Sequence, residues 1–218
     1  MQINADLGQR AVLQTEEMAW VDSPMAGVQR RMLERDGKDG DRRATSVVRY
    51  APNSRFSPHT HGGGEEFLVL AGTFSDDRAD YPAGTYVRNP PGSRHTPRSK
   101  DGTTIFVKLQ QFAPDDRAHV VIDTGTQLWI AGPAAGVQIM PLHAHGPEQV
   151  LLQHWNAGTR MERRDESGGE EIFVLDGSLE DEHGSYSKGT WLRNPPGNMP
   201  ERWSRDGCDL YVKTGHLG

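Results

Sequence analysis

Short runs of β-branched, aliphatic and aromatic residues recur along the chain. FLVL, TYVRN, TIFVKLQ, EIFVL and DLYVK are examples, and Gly, Pro, Asn or Asp bounds most of them. Runs of this length between turn-forming residues predict β-strands spaced as in a sandwich or barrel. One segment departs from the pattern: GVQRRMLER, residues 27–35, reads as a short helix. The expected class is all-β and antiparallel.

The pattern is written twice. At a shift of 105, residues 62–108 lie on 167–213 without a gap, and 21 of 47 positions are identical. GGEE at 63–66 meets GGEE at 168–171, and GTYVRNPPG at 84–92 meets GTWLRNPPG at 189–197. Upstream the match continues at a shift of 109, with Trp20 on Trp129 and Pro24 on Pro133. The difference of four residues falls in RDGKDGDRR, residues 35–43, an expected loop. A repeat of this extent means gene duplication. Two similar domains are expected, 1–114 and 115–218, with a polar linker at 113–117.

Charge and composition narrow the partners. A formal net charge of −6 and a pI near 5.8 favour neither nucleic acid nor an acidic membrane surface. Mean hydropathy is −0.70, and no apolar run approaches the ~20 residues of a membrane helix. The segment MQINADLGQR lacks the apolar core of a signal peptide. Cys208 is the single cysteine, which excludes an intrachain disulfide and a cysteine-rich zinc site. A cytoplasmic location is the expectation.

Candidate chemistry concentrates in the first copy, in SPHTHGGGEEFLVLAG, residues 57–72. Residues two apart on a strand face one way, so His59 and His61 share a side. Gly62 to Gly64 allow a tight turn and leave room beside the imidazoles. Glu65 can then return to the same face, and Glu66 points away toward solvent or a surface partner. The turn at Pro90, Pro91 and Gly92 can bring His95 across to the other three. Three imidazoles and a carboxylate suit Fe(II), Mn(II), Ni(II) or Zn(II). On an octahedral ion they leave two positions for water, O₂ or an organic chelator.

These residues resemble the cupin family. His59, His61, Glu65 and Gly72 have the spacing of its first motif; Gly84, Pro90, Gly92 and His95 have that of its second, with Ser99 where an Asn is usual. Residues 62–99 are similar in particular to the ChrR-like cupins. The resemblance implies a bicupin, two antiparallel barrels or jelly rolls, with one divalent metal on His59, His61, Glu65 and His95.

The second copy breaks the pattern. Arg164, Glu166, Glu170 and Pro200 stand at the four ligand positions. Arginine has no lone pair to give a metal, so a metal-free barrel is expected. The Arg164 guanidinium should then sit between Glu166 and Glu170 and stand in for the metal's charge. This barrel would have a packing role, covering a sheet edge or forming a homodimer interface. His143 and His145 form an isolated HxH that reads as a half-exposed strand, and His154 as another strand residue. Arg94 and Arg98 read as solvated, while Arg88, repeated as Arg193, points to a structural ion pair. Cys208 reads as a buried small side chain. Trp20 and Trp129, at matched positions, read as core.

Two function classes stay open at this point. The ChrR-like resemblance implies a regulatory, oxidant-sensing module whose partner is an ECF sigma factor. Its helical sigma-binding domain is not matched, since this chain opens in a cupin repeat with one cysteine. The alternative is an Fe(II)-dependent dioxygenase cleaving a small diketone or hydroxyketone at the metal. No residue is assigned a catalytic role beyond the metal ligands.

Overall fold

The computed structural model describes residues 1–37 and 42–218, so 38–41 of the expected loop lie outside the described residues. The elements are β-strands, with two 3₁₀ turns at Thr15–Glu17 and Thr124–Thr126. Among the described residues no helix is long and apolar enough to cross a membrane. The all-β, two-barrel reading holds. The helix expected over 27–35 does not: Val28–Asp36 is a strand paired with Ala44–Tyr50.

Two compact units form, and neither is contiguous. The first holds Met1–Ala5 and Met18–Gln127; the second holds Asp6–Glu17 and Leu128–Gly218. In the first, Val28–Asp36, Ala44–Tyr50, Thr103–Leu109, Glu65–Ser75, Thr85–Asn89 and Val120–Asp123 run side by side, antiparallel. In the second, Val137–His145, Glu148–Trp155, Cys208–Thr214, Glu170–Asp181, Thr190–Asn194 and Ala11–Gln14 repeat that order. Each unit therefore takes its last strand from outside its own sequence repeat. The boundary at 114/115 describes the duplication; the packed units divide differently.

Inward residues of each unit make its core. Phe67, Val69, Val87, Ile105 and Val107 pack with Phe74 and Tyr81 in the first. Ile172, Val174, Leu192, Leu210 and Val212 pack with Trp155 and Leu179 in the second, joined by the buried Cys208. Gly72 shows why the first motif ends in glycine. Its φ is +72°, and an added Cβ would lie 2.1 Å from the carbonyl oxygen of Gly102. The register shift between Thr104 and Ile105 places this bulge. Gly177 repeats it, with a Cβ 2.2 Å from the oxygen of Gly207.

Glu66 does not reach solvent. It is 2% exposed and ion-paired to Arg88, which also holds Asp116 at 2.6 Å and stacks on Phe112 at 3.8 Å. A buried guanidinium between two carboxylates is the structural role the repeat suggested for Arg88. The paired tryptophans are not core: Trp20 is half-buried between the guanidiniums of Arg31 and Arg49, and Trp129 is 38% exposed. Ring faces that attract cations are stable at a surface without deep burial. His143 and His145 are half-buried on a strand, as expected, and His154 bonds Asp209 at 2.7 Å.

Candidate metal centre

Backbone turns bring the sequence-predicted residues together. The Pro-Pro-Gly turn closes with Ser93 N–H donating to the Pro90 oxygen at 3.0 Å, and Gly92 has φ +85° with nothing near its missing Cβ. Gly92 N–H donates to the His61 oxygen at 2.8 Å, and His61 N–H to the Ser93 oxygen at 3.0 Å. His95 thereby becomes the direct strand partner of His59. The glycines of 62–64 do not leave space beside the imidazoles. A Cβ on Gly63 would strike Gln110 at 2.2 Å, and one on Gly64 would strike Phe112 at 2.3 Å. They admit the returning segment 110–112, which bonds back to Gly64 and Gly63.

The three imidazoles form a closed triangle, with ring centroids 4.7, 4.7 and 4.9 Å apart. His61 Nε2 and His95 Nε2 lie 2.9 Å from each other. Glu65 Oε2 lies 3.4 Å from the former and 3.6 Å from the latter. His61, Glu65 and His95 are buried, and His59 is half-exposed. Two donors at a right angle on an ion with ~2.1 Å bonds would be about 3 Å apart. The His61–His95 spacing meets that test, and His59, His61 and His95 form a group able to hold a divalent metal.

Residues outside both motifs hold this geometry. Asp76 Oδ2 faces His95 Nδ1 at 3.2 Å, while Asp76 Oδ1 accepts from Arg78 N–H at 2.8 Å, Ala79 N–H at 3.2 Å and the Tyr81 hydroxyl at 3.2 Å. Arg98, exposed as expected, also donates to the Asp76 backbone oxygen at 2.5 Å. Asn89 Nδ2 donates to Glu65 Oε2 at 3.2 Å. Phe74 lies 6.0 Å from the His95 ring and 5.6 Å from Tyr50. Sequence reasoning missed Asp76, Asn89 and Tyr50. For the first two a signal existed, because they recur as Asp181 and Asn194.

Electrostatics separate the two facing histidines. Burial pushes His61 below the ordinary imidazole value, the neighbouring imidazoles add to this, and the charge of Glu65 offsets it in part. Burial also opposes a charge on His95, but the Asp76 hydrogen bond and the charges of Glu65 and Asp76 outweigh it and raise its pKa. Burial would raise Asp76; its hydrogen bonds from His95, Arg78 and Ala79 instead bring it down to about 2. Burial, then the charge of Glu65, keeps the Tyr50 hydroxyl protonated well above the ordinary phenol range. In the metal-free centre His95 thus holds a proton more readily than His61, and a metal competes with that proton.

In the second unit only Glu170 keeps a ligand side chain. Arg164 pairs with its Oε2, as expected, but Glu166 makes no ion pair among the described residues. The second partner is instead Arg202, fully buried, with NH2 2.6 Å from Glu170 Oε1. Arg202 matches Pro97 in the first copy, so repeat comparison gave no sign of it.

Known proteins of the same shape are numerous. A candidate dioxygenase from Nostoc punctiforme superposes with a TM-score of 0.80 at 15% identity, over 96% of this chain and 84% of that one. A candidate glyoxylate-induced protein from Pseudomonas aeruginosa gives 0.76 at 13% identity, over 98% and 90%. A mutant Bacillus subtilis oxalate decarboxylase gives 0.65 at 10%, over 94% and 77%. At these identities the likeness shows the cupin fold alone. No curated protein matches the chain significantly by sequence. The family model for the ChrR cupin-like domain matches twice, over residues 8–113 and 117–218. Both halves of the chain thus belong to the ChrR cupin-like domain family.

Proposed function

We propose that the protein binds one divalent transition-metal ion through His59, His61, Glu65 and His95, and serves as the metal-bearing, oxidant-responsive module of a regulatory system. The observation that carries this reading is the buried convergence of His61 Nε2 and His95 Nε2 at 2.9 Å, with Glu65 beside both. When bound, the ion supplies Lewis acidity and, if it is iron, a site for oxygen chemistry. The chain's own residues do the rest. Asp76 holds the Nδ1 proton of His95 and so presents Nε2 as a lone pair. Asn89 fixes one oxygen of Glu65. Phe74 packs near the His95 ring and against Tyr50, and half-exposed His59 is the ligand on the side that a small molecule or oxidant would approach. The second barrel works without a metal; the guanidiniums on Glu170 support this.

A second reading, an Fe(II)-dependent dioxygenase acting on a small diketone or hydroxyketone, is favoured by the likeness to the Nostoc protein. Metal analysis of the purified protein, with His61→Ala and His95→Ala beside it, tests the shared premise. Loss of stoichiometric metal in both variants is expected, and variants that hold metal like the parent would refute it. Sigma-factor pull-downs before and after oxidant exposure test the regulatory role. Oxygen uptake by the Fe(II)-loaded protein with a diketone panel tests the enzyme.

A further inference from the structure

The interior of the second barrel is over-supplied with positive charge and hydrogen-bond donors. Glu170 faces two guanidiniums, Arg164 on one oxygen and Arg202 on the other. The nearby Asp181 does not balance the surplus, because Arg10 already holds it at 3.1 Å, with the Tyr186 hydroxyl at 2.5 Å and His183 N–H at 2.7 Å. Glu166 makes no ion pair among the described residues. Among the ion-paired groups, three guanidiniums (Arg10, Arg164 and Arg202) face two carboxylates (Asp181 and Glu170).

The donors tell the same story. Asn194 is the backbone partner of Glu170 and the counterpart of Asn89. In the first barrel that amide donates to the glutamate. Here its oxygen accepts from Arg10 Nε at 3.0 Å, while its buried Nδ2 has no partner among the described residues. Arg202 Nε is buried and likewise unpartnered. Buried polar groups are nearly always satisfied, and leaving one unsatisfied is destabilising. A negatively charged acceptor would satisfy these groups and the facing guanidiniums together.

We propose that the second barrel binds a small monocarboxylate between Arg164 and Arg202, with the Asn194 amide as an added donor. A planar carboxylate matches a guanidinium fork, and a single charge matches the surplus of one. Arg164 is 29% exposed and so connects the site to solvent, whereas Arg202 is 2% exposed and forms its floor. Buried Met161, whose sulfur is 3.9 Å from Arg164 NH1, and Met199, the strand partner of Arg164, give a short apolar wall for an aliphatic stub.

The test is calorimetric titration of the full chain with acetate, propionate and pyruvate, and separately with phosphate and chloride. It is run on metal-loaded protein, chelator-treated protein and His61→Ala. Saturable one-to-one carboxylate binding is expected in all three. Arg164→Gln should weaken it roughly 10- to 100-fold, the worth of one or two hydrogen bonds to a charged group, and leave metal content unchanged. Glu170→Gln removes the internal competitor and should tighten it; if that variant does not fold, Arg164→Gln alone decides. The proposal is overturned by three results. These are no saturable carboxylate binding, binding that vanishes with the metal yet survives Arg164→Gln, or phosphate or chloride binding as tightly as carboxylate. Since the readout does not need metal, its failure is separate from failure of the proposed metal function.

Discussion

Asp76→Asn separates the tautomer argument from simple proximity of ligands. Three donors hold Asp76 Oδ1: the N–H groups of Arg78 and Ala79 and the Tyr81 hydroxyl. An asparagine keeps those bonds only by placing its own oxygen there. Its NH₂ then meets His95 Nδ1, where Oδ2 had accepted at 3.2 Å. Two donors cannot face each other, so neutral His95 must carry its proton on Nε2. That atom is the one lying 2.9 Å from His61 Nε2, where the metal would bind. Losing such an outer partner typically costs 10- to 100-fold in metal affinity, about 1.4–2.7 kcal/mol. If the amide instead turned its oxygen to His95, three donors would lose their acceptor, and stability rather than affinity would fall, by about 1–3 kcal/mol for each group left buried and unpaired. Competition against a chromophoric chelator reads the first outcome, and urea unfolding of the metal-free protein reads the second. Asp181→Asn is the matched control, with metal affinity expected to stay at the parental value. Were Asp76→Asn to bind metal within about twofold of the parent with unchanged metal-free stability, the positioning role would be wrong.

Other expectations follow from single sites. Gly72→Ala places a Cβ against the Gly102 carbonyl at positive φ and should cost clearly more than the ~1 kcal/mol expected of Gly92→Ala, which meets only the backbone penalty; equal denaturation midpoints for the two would contradict this. Arg88→Met removes the buried guanidinium that Glu66 and Asp116 share and should destabilise by about 3–5 kcal/mol; a loss below about 1 kcal/mol in urea unfolding would count against the pair. Burial would raise the Glu170 carboxyl, but Arg202 and Arg164 outweigh it and hold it below the ordinary value of 4.5. In the acid range the unfolded chain then binds more protons at this residue than the folded one. Its stabilisation is complete above the ordinary value and lost as pH falls through the depressed one. Unfolding free energy measured across the acid range should fall less steeply in Glu170→Gln than in the parent, and parallel slopes would refute the assignment.

The strand-bearing runs and the four candidate ligands were legible because each rests on local spacing. The helix expected over 27–35 failed for a reason the structure supplies. Val28 and Met32, four apart, fit a helix face as well as a strand face, and the bulge between Met32 and Glu34 then puts the buried Leu33 out of strand alternation. A bulge is a tertiary device, and the sequence shows just the broken period. Asp76 sits in SDDRAD, which reads as a hydrated acidic turn, and only its recurrence as Asp181 hinted at more. Glu66 looked exposed because its cation, Arg88, lies 22 residues away.

The exchange of segments between the repeats gives the changed second barrel a chemical logic. Asp181, Tyr186 and Asn194 stand where Asp76, Tyr81 and Asn89 stand, so the second unit has the frame that orients His95 with no histidine in it. With Pro200 in that position, Asp181 would have a bare oxygen. Arg10 supplies the missing donor, from the segment Asp6–Glu17 that crosses into this unit, and it bonds Asn194 as well. Taking Asn194's oxygen frees Glu170 for Arg164 and Arg202 and leaves the asparagine amide unspent. One scaffold thus presents opposite polarities. Lone pairs converge in the first barrel, where a cation fits, and N–H groups converge in the second, where an anion fits. A histidine restored at Pro200 would therefore not recreate a metal site, because Arg10 and Arg202 would still occupy the acceptors its imidazole and a cation need.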